Sequence, residues 1–252
     1  MRQLIRRFLQ ARGYDIVKTN QYVKNGVPVD MEPAFAELHA KCKAFTMTSV
    51  ERQYAVFKAV EYIVKNNIKG DMVECGVWRG GNSMMMALAL QHFGDNSRHI
   101  FLYDTFEGMS DPTEQDRQFD GTDAAIEFNA SKRTDGANDW CYADINDVQQ
   151  NMKSTNYPFS QISFVKGKVE DTLPATLPNN IAVLRLDTDW YASTYHEMVH
   201  LYPLLQKGGA LIIDDYGHWQ GAREAIDNYL REQHIQLLLQ RSDYTGRMAI
   251  KP

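Results

Sequence analysis

Four aspartates follow two apolar segments of the chain, and together their carboxylates have the chemistry of a metal site. Asp187 and Asp189 follow the run IAVLRL, and Asp214 and Asp215 follow ALII. Carboxylates that lie close together repel one another unless a cation lies among them. Oxygen-rich clusters suit a hard divalent cation, Mg²⁺ first and then Mn²⁺ or Ca²⁺. One aspartate per segment can instead cap the helix that follows, but capping explains a pair after both segments poorly.

The same region offers groups that can accept a proton. A hydroxyl bound to Mg²⁺ has a lowered pKa and is a better nucleophile at neutral pH. Asp187, Asp189, His218 and His196 are the candidate bases. His218 follows Asp214 by four positions, although a histidine near a helix start is also compatible with a polar surface.

A glycine turn and two further strand ends indicate a binding site for a small cofactor. The segment VECGVWRGGNS contains Gly76 but neither GxGxxG nor the Gly-Lys-Ser/Thr of a phosphate-binding loop. Glu74 would repel a pyrophosphate and would suit an ammonium or sulfonium group, both of which S-adenosylmethionine carries. Asp104 can accept hydrogen bonds from ribose hydroxyls, and Gly167 permits close approach of a ligand. The alternative for Gly76 is a plain tight turn between a strand and a helix.

These residues must be positioned by a doubly wound, mostly parallel α/β sheet, because short apolar strands alternate with helices. In such sheets ligands bind outside the carboxyl ends of the strands. A right-handed helical crossover between the last two of these strands brings the two acid pairs together. A hairpin-like pair near the C-terminus supplies an antiparallel last strand. The predicted strands are 71–78, 99–106, 162–167, 181–187 and 208–214, and the predicted helices are 49–67, 83–93 with Ser83 as its cap, 193–208 and 221–234.

The length predicts one domain over residues 1–252. Residues 1–70 are predicted to form a helical extension, within which the spacing of apolar residues near the start favours an amphipathic helix. Residues 107–147 are polar and acidic and follow the second strand. Such an insertion in a compact domain is usually a functional lid or a disordered loop. Its position after the carboxyl end of the second strand favours a lid, which we expect to order on ligand binding.

Composition excludes several classes of protein. The net charge of −5 without a basic patch argues against a nucleic-acid partner, and no apolar run approaches the length of a membrane span or of a signal peptide's core. The three cysteines, Cys42, Cys75 and Cys141, lack metal-site spacing and indicate reduced thiols. We therefore expect a cytoplasmic protein.

The motifs together resemble the macrocin O-methyltransferase family, whose members are S-adenosylmethionine- and Mg²⁺-dependent enzymes of natural-product biosynthesis. The resemblance covers roughly residues 70–230, and the motifs occur in the family's order. The segments that carry it are VECGVWRGGNS, LYDTFEGM, WCYADINDV, VKGKVEDTLP, LRLDTDWYAST and LIIDDYGHWQGAREAID.

The resemblance implies a Rossmann-like methyltransferase sheet, a methyl transfer to a sugar or other natural-product hydroxyl, and a homo-oligomer, most simply a dimer. It implies that Glu74, Gly76 and Ser83 line the methionine end of the cofactor, that Asp104 holds the ribose, and that Gly167 and Val169 border the adenine. It also implies that Asp187, Asp214 and Asp215 bind Mg²⁺, with Asp187 also the base. The sequence leaves open whether Asp187 or Asp189 takes the primary metal position. Related catechol-type enzymes carry a lysine three residues after the first aspartate, where this chain has Trp190.

Two other functions are compatible with a sheet of this kind. One is an NAD-type enzyme acting on nucleotide sugars, which the missing GxGxxG motif and Glu74 argue against. The other is a non-catalytic protein that binds S-adenosylmethionine or a nucleotide, which the presence of all four aspartates argues against.

Overall fold

The computed structural model describes residues 2–14 and 22–252, and the chain divides into two compact units, Met1–Glu37 and Leu38–Pro252. The first unit contains helix α1 (Arg2–Gln10) and a short antiparallel hairpin of β1 (Val23–Lys24) and β2 (Val27–Pro28). Asn25 and Gly26 join the hairpin strands at positive φ, as a tight two-residue hairpin turn requires. Helix α2 (Pro33–Cys42) spans the boundary between the units.

The second unit is built on a seven-stranded sheet, and this confirms the predicted fold class. The strand order is β5-β4-β3-β6-β7-β9-β8, with the first five strands parallel and β9 antiparallel to β7. The predicted antiparallel last strand is therefore present. The strands are β3 (Asp71–Cys75), β4 (Ile100–Asp104), β5 (Ile162–Lys166), β6 (Ile181–Leu186), β7 (Leu205–Ile213), β8 (Gln240–Arg241) and β9 (Arg247–Ile250).

Helices precede, connect and follow the parallel strands. They are α3 (Val50–Lys65), α4 (Gly81–His92), α5 (Ala124–Ala130), α6 (Ile145–Ser154), α7 (Val169–Thr172), α8 (Tyr191–His200) and α9 (Gln220–Glu232). The helix predicted over 193–208 ends at His200, because a 3₁₀ turn containing Pro203 follows and strand β7 starts at Leu205. Proline lacks an amide donor and disfavours helical geometry in the residue before it.

The prediction that Ser83 caps α4 is wrong. The capping position is Gly80, at φ +87°, and Ser83 lies inside the helix, where its hydroxyl donates to Glu74. Helix α4 begins two residues earlier than predicted, at Gly81, which approaches another segment closely. A Cβ on Gly81 would lie 2.6 Å from the carbonyl oxygen of Phe45.

The core is formed by strands covered on both faces. All six residues of β6 are buried, as is typical of a central parallel strand. Five of the six are apolar, and the sixth is Arg185. Among the helices in the described part of the chain, none is long and apolar enough to cross a membrane.

The insertion at 107–147 is tied to the N-terminus of α8. Asp116 is fully buried; its Oδ1 accepts from the amide of Tyr191 at 2.8 Å and its Oδ2 from the amide of Thr113 at 2.7 Å. The indole of Trp190 donates to the carbonyl of Ser110 at 2.9 Å. The insertion is thus hydrogen-bonded to the sheet's carboxyl edge, and its ordering on ligand binding stays a prediction.

Candidate functional site

A cavity of about 300 Å³ lies at the carboxyl ends of β3, β4, β6 and β7. Its volume is at the lower end of the range typical of small-molecule sites. Most of the residues predicted from sequence line it together. These are Gly76, Asp104, Gly167, Val169, Asp187, Asp189, Asp214, Asp215 and His218.

Two predicted residues, Glu74 and Ser83, are buried outside the cavity lining. The Glu74 carboxylate accepts from the Ser83 hydroxyl and, at 2.7 Å, from the guanidinium of Arg185. Burial raises the pKa of Glu74, and the charge of Arg185 opposes that rise. The structure therefore places Glu74 beneath the site, against a cation of the protein itself.

Three of the four aspartates converge as predicted. Asp187, Asp214 and Asp215 each offer a carboxylate oxygen, and these oxygens lie within 4.8 Å of one another. The backbone fixes the arrangement, since the amide of Asp187 donates to Cys75 at 2.8 Å and that of Asp214 donates to Leu186 at 2.9 Å. The Oδ2 of Asp215 is buried and accepts no hydrogen bond. A donor set of three carboxylates with an unsatisfied buried oxygen fits a hard divalent cation.

The carboxylates of this cluster are desolvated and repel one another, and both effects change their pKa values. Burial, followed by the neighbouring carboxylates, raises the pKa of Asp187 and of Asp215 well above the usual range of aspartate, although Arg185 opposes the rise at Asp187. Burial also raises the pKa of Asp189 to about 7. Asp189 is held at φ +68°, a left-handed conformation that is uncommon outside glycine. Such strain is often found at functional sites.

Arg185 is the first functional residue that the sequence reasoning missed. It is 1% exposed, and its guanidinium donates to Glu74 and to Asp187 at 2.7 Å each, and to Asp214. The signal was an arginine in an apolar strand directly before an acid motif. A buried charge needs partners, and the strand ends supply them.

Arg52 is the second missed residue, and it reaches the cluster from the first turn of α3. Its guanidinium donates to Oδ2 of Asp214, and its Nε lies 3.0 Å from Oδ2 of Asp243. Ser49 caps α3 by accepting from the amide of Arg52 at 3.1 Å. No local signal in the sequence distinguishes Arg52 from a solvated helix position.

The glycine turn packs closely against another segment of the chain. Gly76 has φ +78°, and a Cβ there would lie 1.9 Å from the carbonyl oxygen of Asp187. The turn also carries two amides, those of Val77 and Trp78, that donate to Oδ2 of Asp104 at 2.6 and 3.1 Å. The other oxygen of Asp104 accepts from the amide of Phe106 at 2.6 Å. Carboxylate oxygens have spare lone pairs, so Asp104 can order the turn and still accept from a ligand.

Three tryptophans pack edge to face or tilted beside the acid cluster, with ring centroids 5.1 to 6.0 Å apart. Trp140, from the insertion, and Trp219 line the cavity, whereas Trp190 is buried behind them. The cluster therefore contains one buried ring and two rings that line the cavity.

Of the two candidate histidines, one lines the cavity and the other does not. His218 lines the cavity; burial, and then the nearby charge of Arg52, lowers its pKa, which favours the neutral imidazole. The Nε2 of His196 lies 3.2 Å from the carbonyl of Leu173, and His196 is outside the cavity lining.

The strand order and the position of the cavity define a Rossmann-like methyltransferase fold. The solved structure of the O-methyltransferase NovP superposes with a TM-score of 0.72, at 29% identity over 82% of each chain. The calicheamicin methyltransferase CalS11, 16% identical, superposes with a TM-score of 0.59 over 94% of this chain and 98% of its own, and this likeness shows the fold alone.

Sequence comparison identifies the family. The profile of the macrocin-O-methyltransferase (TylF) family matches residues 18–249, and the chain belongs to this family of O-methyltransferases. One relative is the 8-demethyl-8-(2,3-dimethoxy-alpha-L-rhamnosyl)-tetracenomycin-C 4'-O-methyltransferase of Streptomyces olivaceus, 32% identical over 89% of this chain and 82% of its own. Another is the mycinamicin III 3''-O-methyltransferase of Micromonospora griseorubida, 31% identical over 76% of this chain and 72% of its own.

Proposed function

We propose that this protein transfers the methyl group of S-adenosylmethionine to a hydroxyl of a sugar-bearing small molecule, with Mg²⁺ bound in the site. One observation carries the proposal. The convergent oxygens of Asp187, Asp214 and Asp215 lie in the same cavity as the glycine turn and Asp104. Family membership and the names of the relatives support the reaction and the kind of acceptor.

The cofactor side of the cavity comprises Gly76, Asp104, Gly167 and Val169. The carboxylate of Asp104 lies at a strand end, where it can accept from ribose hydroxyls. Gly167 has φ +138° and leaves the backbone open beside Val169, as the predicted contact with an adenine ring requires. Glu74 and Ser83 act from beneath, by holding the end of β3 to α4 and β6.

The metal side comprises Asp187, Asp214 and Asp215. When bound, a divalent cation supplies Lewis acidity that lowers the pKa of a hydroxyl it binds. The chain's own contribution is to fix the three carboxylates through the backbone bonds of β6 and β7 and through Arg185.

The transfer forms an oxygen–carbon bond, breaks the sulfur–carbon bond of the sulfonium, and releases the hydroxyl proton to a group of the chain. Asp187, Asp189 and His218 line the cavity and can take this proton. Asp187 already accepts from Arg185, and a contact with a cation lowers a carboxylate's basicity. We therefore favour Asp189 as the base, with His218 as the group that passes the proton to solvent.

The acceptor side comprises Trp140 and Trp219, whose rings offer apolar walls for a sugar or a flat aglycone. The insertion supplies Trp140, so the residues of the insertion set the choice of acceptor. A cytoplasmic location and a dimeric state remain predictions, the latter testable by light scattering on the eluting protein.

The test is methyl transfer by purified protein to a panel of glycosides with free sugar hydroxyls, with and without Mg²⁺ after chelation. We expect a product 14 mass units heavier, together with S-adenosylhomocysteine, only when Mg²⁺ is present. Asp214→Asn should lose turnover and keep cofactor affinity, while the control Glu61→Gln, on the outer face of α3, should behave as wild type. Cofactor binding without Mg²⁺-dependent transfer to any acceptor would favour a non-catalytic protein.

A further inference from the structure

Both carboxylate oxygens of Asp214 are already bound by guanidinium groups of the chain. Oδ1 accepts from Arg185 and Oδ2 accepts from Arg52, and the side chain of Asp214 is 3% exposed. Asp214 belongs to the acid cluster whose oxygens converge within 4.8 Å. A divalent cation at that cluster therefore meets a positive charge that the protein itself has placed on one of its ligands.

The two arginines differ in their freedom to move. Arg185 lies one residue before the end of β6, is 1% exposed, and donates to three different carboxylates. Arg52 lies on the first turn of α3 and lines the cavity, and its long side chain can reorient without moving the helix. Only Arg52 can give way to another cation without breaking the sheet's internal ion pairs.

Arg52 has a second acceptor within reach. Its Nε lies 3.0 Å from Oδ2 of Asp243, yet this buried nitrogen makes no well-aligned hydrogen bond. Asp243 is held in place because its Oδ1 accepts from the amides of Thr245 and Gly246, at 2.9 and 2.7 Å, and its Oδ2 accepts from the hydroxyl of Ser49 at 2.7 Å. The contact between Arg52 and Asp243 is therefore not aligned as a hydrogen bond, and a small rotation of the guanidinium can improve its geometry.

We propose that Arg52 is an internal competitor of the divalent cation, which neutralises Asp214 until the cation binds and is then retained by Asp243. This inference rests on the proposed metal site. A removable counter-charge keeps the buried carboxylate compensated at all times, because an uncompensated buried charge is strongly destabilising. The cost is a weaker affinity for the cation than the three carboxylates alone would give.

The test measures binding of Mn²⁺, a spectroscopic substitute for Mg²⁺, by the paramagnetic resonance signal of the free ion. Arg52→Met keeps the length and apolar stem of the side chain and removes the charge. A charge within about 4–6 Å shifts proton affinity by about 10- to 1000-fold, so we expect Arg52→Met to bind Mn²⁺ about tenfold or more tightly than wild type. Its melting temperature in chelator should fall, and the rise on adding Mn²⁺ should exceed that of wild type.

A second variant should change the Mn²⁺ affinity in the opposite direction. Asp243→Asn keeps the shape of the turn and its backbone hydrogen bonds but no longer attracts Arg52, which then remains on Asp214. We expect it to bind Mn²⁺ several-fold more weakly than wild type. Arg79→Met removes a cation that pairs with Asp147 outside the cavity lining and should leave Mn²⁺ affinity within about twofold, in line with the small value of exposed ion pairs.

Mn²⁺ affinity is expected to rise in Arg52→Met and to fall in Asp243→Asn. These opposite changes distinguish competition from a purely structural role of Arg52. If Arg52 only anchors α3, both Arg52→Met and Asp243→Asn would weaken Mn²⁺ binding, and the inference would be overturned. Unchanged affinity in Arg52→Met would overturn it as well, while leaving the metal site intact. Absence of Mn²⁺ binding in wild type and in all variants would instead refute the proposed metal site itself.

Discussion

Replacing Arg185 by methionine should cost more stability than most single substitutions in this protein. The guanidinium lies among Glu74, Asp187 and Asp214, and Arg185 and Glu74 are each 1% exposed. Solvent screening is therefore absent, and breaking a buried ion pair by removing one partner costs about 3–5 kcal/mol. For a chain of this size that corresponds to a fall in melting temperature of about 6–20 °C.

The assay is urea unfolding monitored by circular dichroism, in chelator, for wild type, Arg185→Met, Glu74→Gln and the double variant. Glu74→Gln keeps the shape and loses the charge, and we expect it to cost about 1–2 kcal/mol. The double variant should be less destabilised than the sum of the single variants by more than about 1 kcal/mol, because without its charge Glu74 no longer needs Arg185.

Two results would refute this reasoning. A cost below about 1 kcal/mol for Arg185→Met would match an exposed ion pair rather than a buried one. Additivity within about 0.5 kcal/mol in the cycle would show that Glu74 and Arg185 are energetically independent. Arg185 would then not hold the acid cluster in position.

Three further predictions test separate parts of the site. Asp104→Ala should weaken S-adenosylhomocysteine binding about tenfold or more in calorimetry, since the cavity loses an acceptor and the turn loses its anchor; unchanged affinity would contradict the ribose assignment. Burial raises the pKa of Glu197, so its stability contribution is lost as pH rises through the folded-state pKa. Glu197→Gln should match wild type near pH 5 and exceed its unfolding free energy by about 1 kcal/mol or more near pH 8, and equal pH profiles would count against a buried neutral carboxyl. Asp116→Ala leaves the amides of Tyr191 and Thr113 unpaired and should speed hydrogen exchange across 107–147 while sparing β6; uniform exchange would argue against a local tie.

The sheet and the convergence of the acids were predictable because both follow from local patterns. Short apolar strands that alternate with helices allow few topologies, and the right-handed crossover rule makes β6 and β7 neighbours. That adjacency brings Asp187 to Asp214 and Asp215. The glycine turn was also found, but its cause was not, because the close approach of Gly76 to the backbone of Asp187 is a tertiary contact.

The role of Arg52 as a counter-charge was not predictable from the sequence for the same reason. Arg52 is 162 residues away from Asp214 along the chain, and only the folded structure brings α3 to the end of β7. Glu74 was assigned to a cationic ligand because a strand-end carboxylate implies a positive partner. The partner that the structure provides is Arg185, on the neighbouring strand. The identity of the cation beside Glu74 depends on the sheet register.

The balance of charge in the cluster bears on how buried arginines and the proposed cation site can coexist. Glu74, Asp187 and Asp214 contact the guanidinium groups, whereas Oδ2 of Asp215 is buried without a hydrogen bond. On the Asp215 side of the cluster, burial and neighbouring carboxylates raise the pKa values of Asp215 and Asp189. A closed ion-pair network would satisfy every oxygen and hold no further cation. Here Arg185 contacts three carboxylates from the sheet and Arg52 contacts Asp214 from the cavity wall, while Oδ2 of Asp215 has no hydrogen bond. We therefore expect the proposed divalent cation to bind on the Asp215 side.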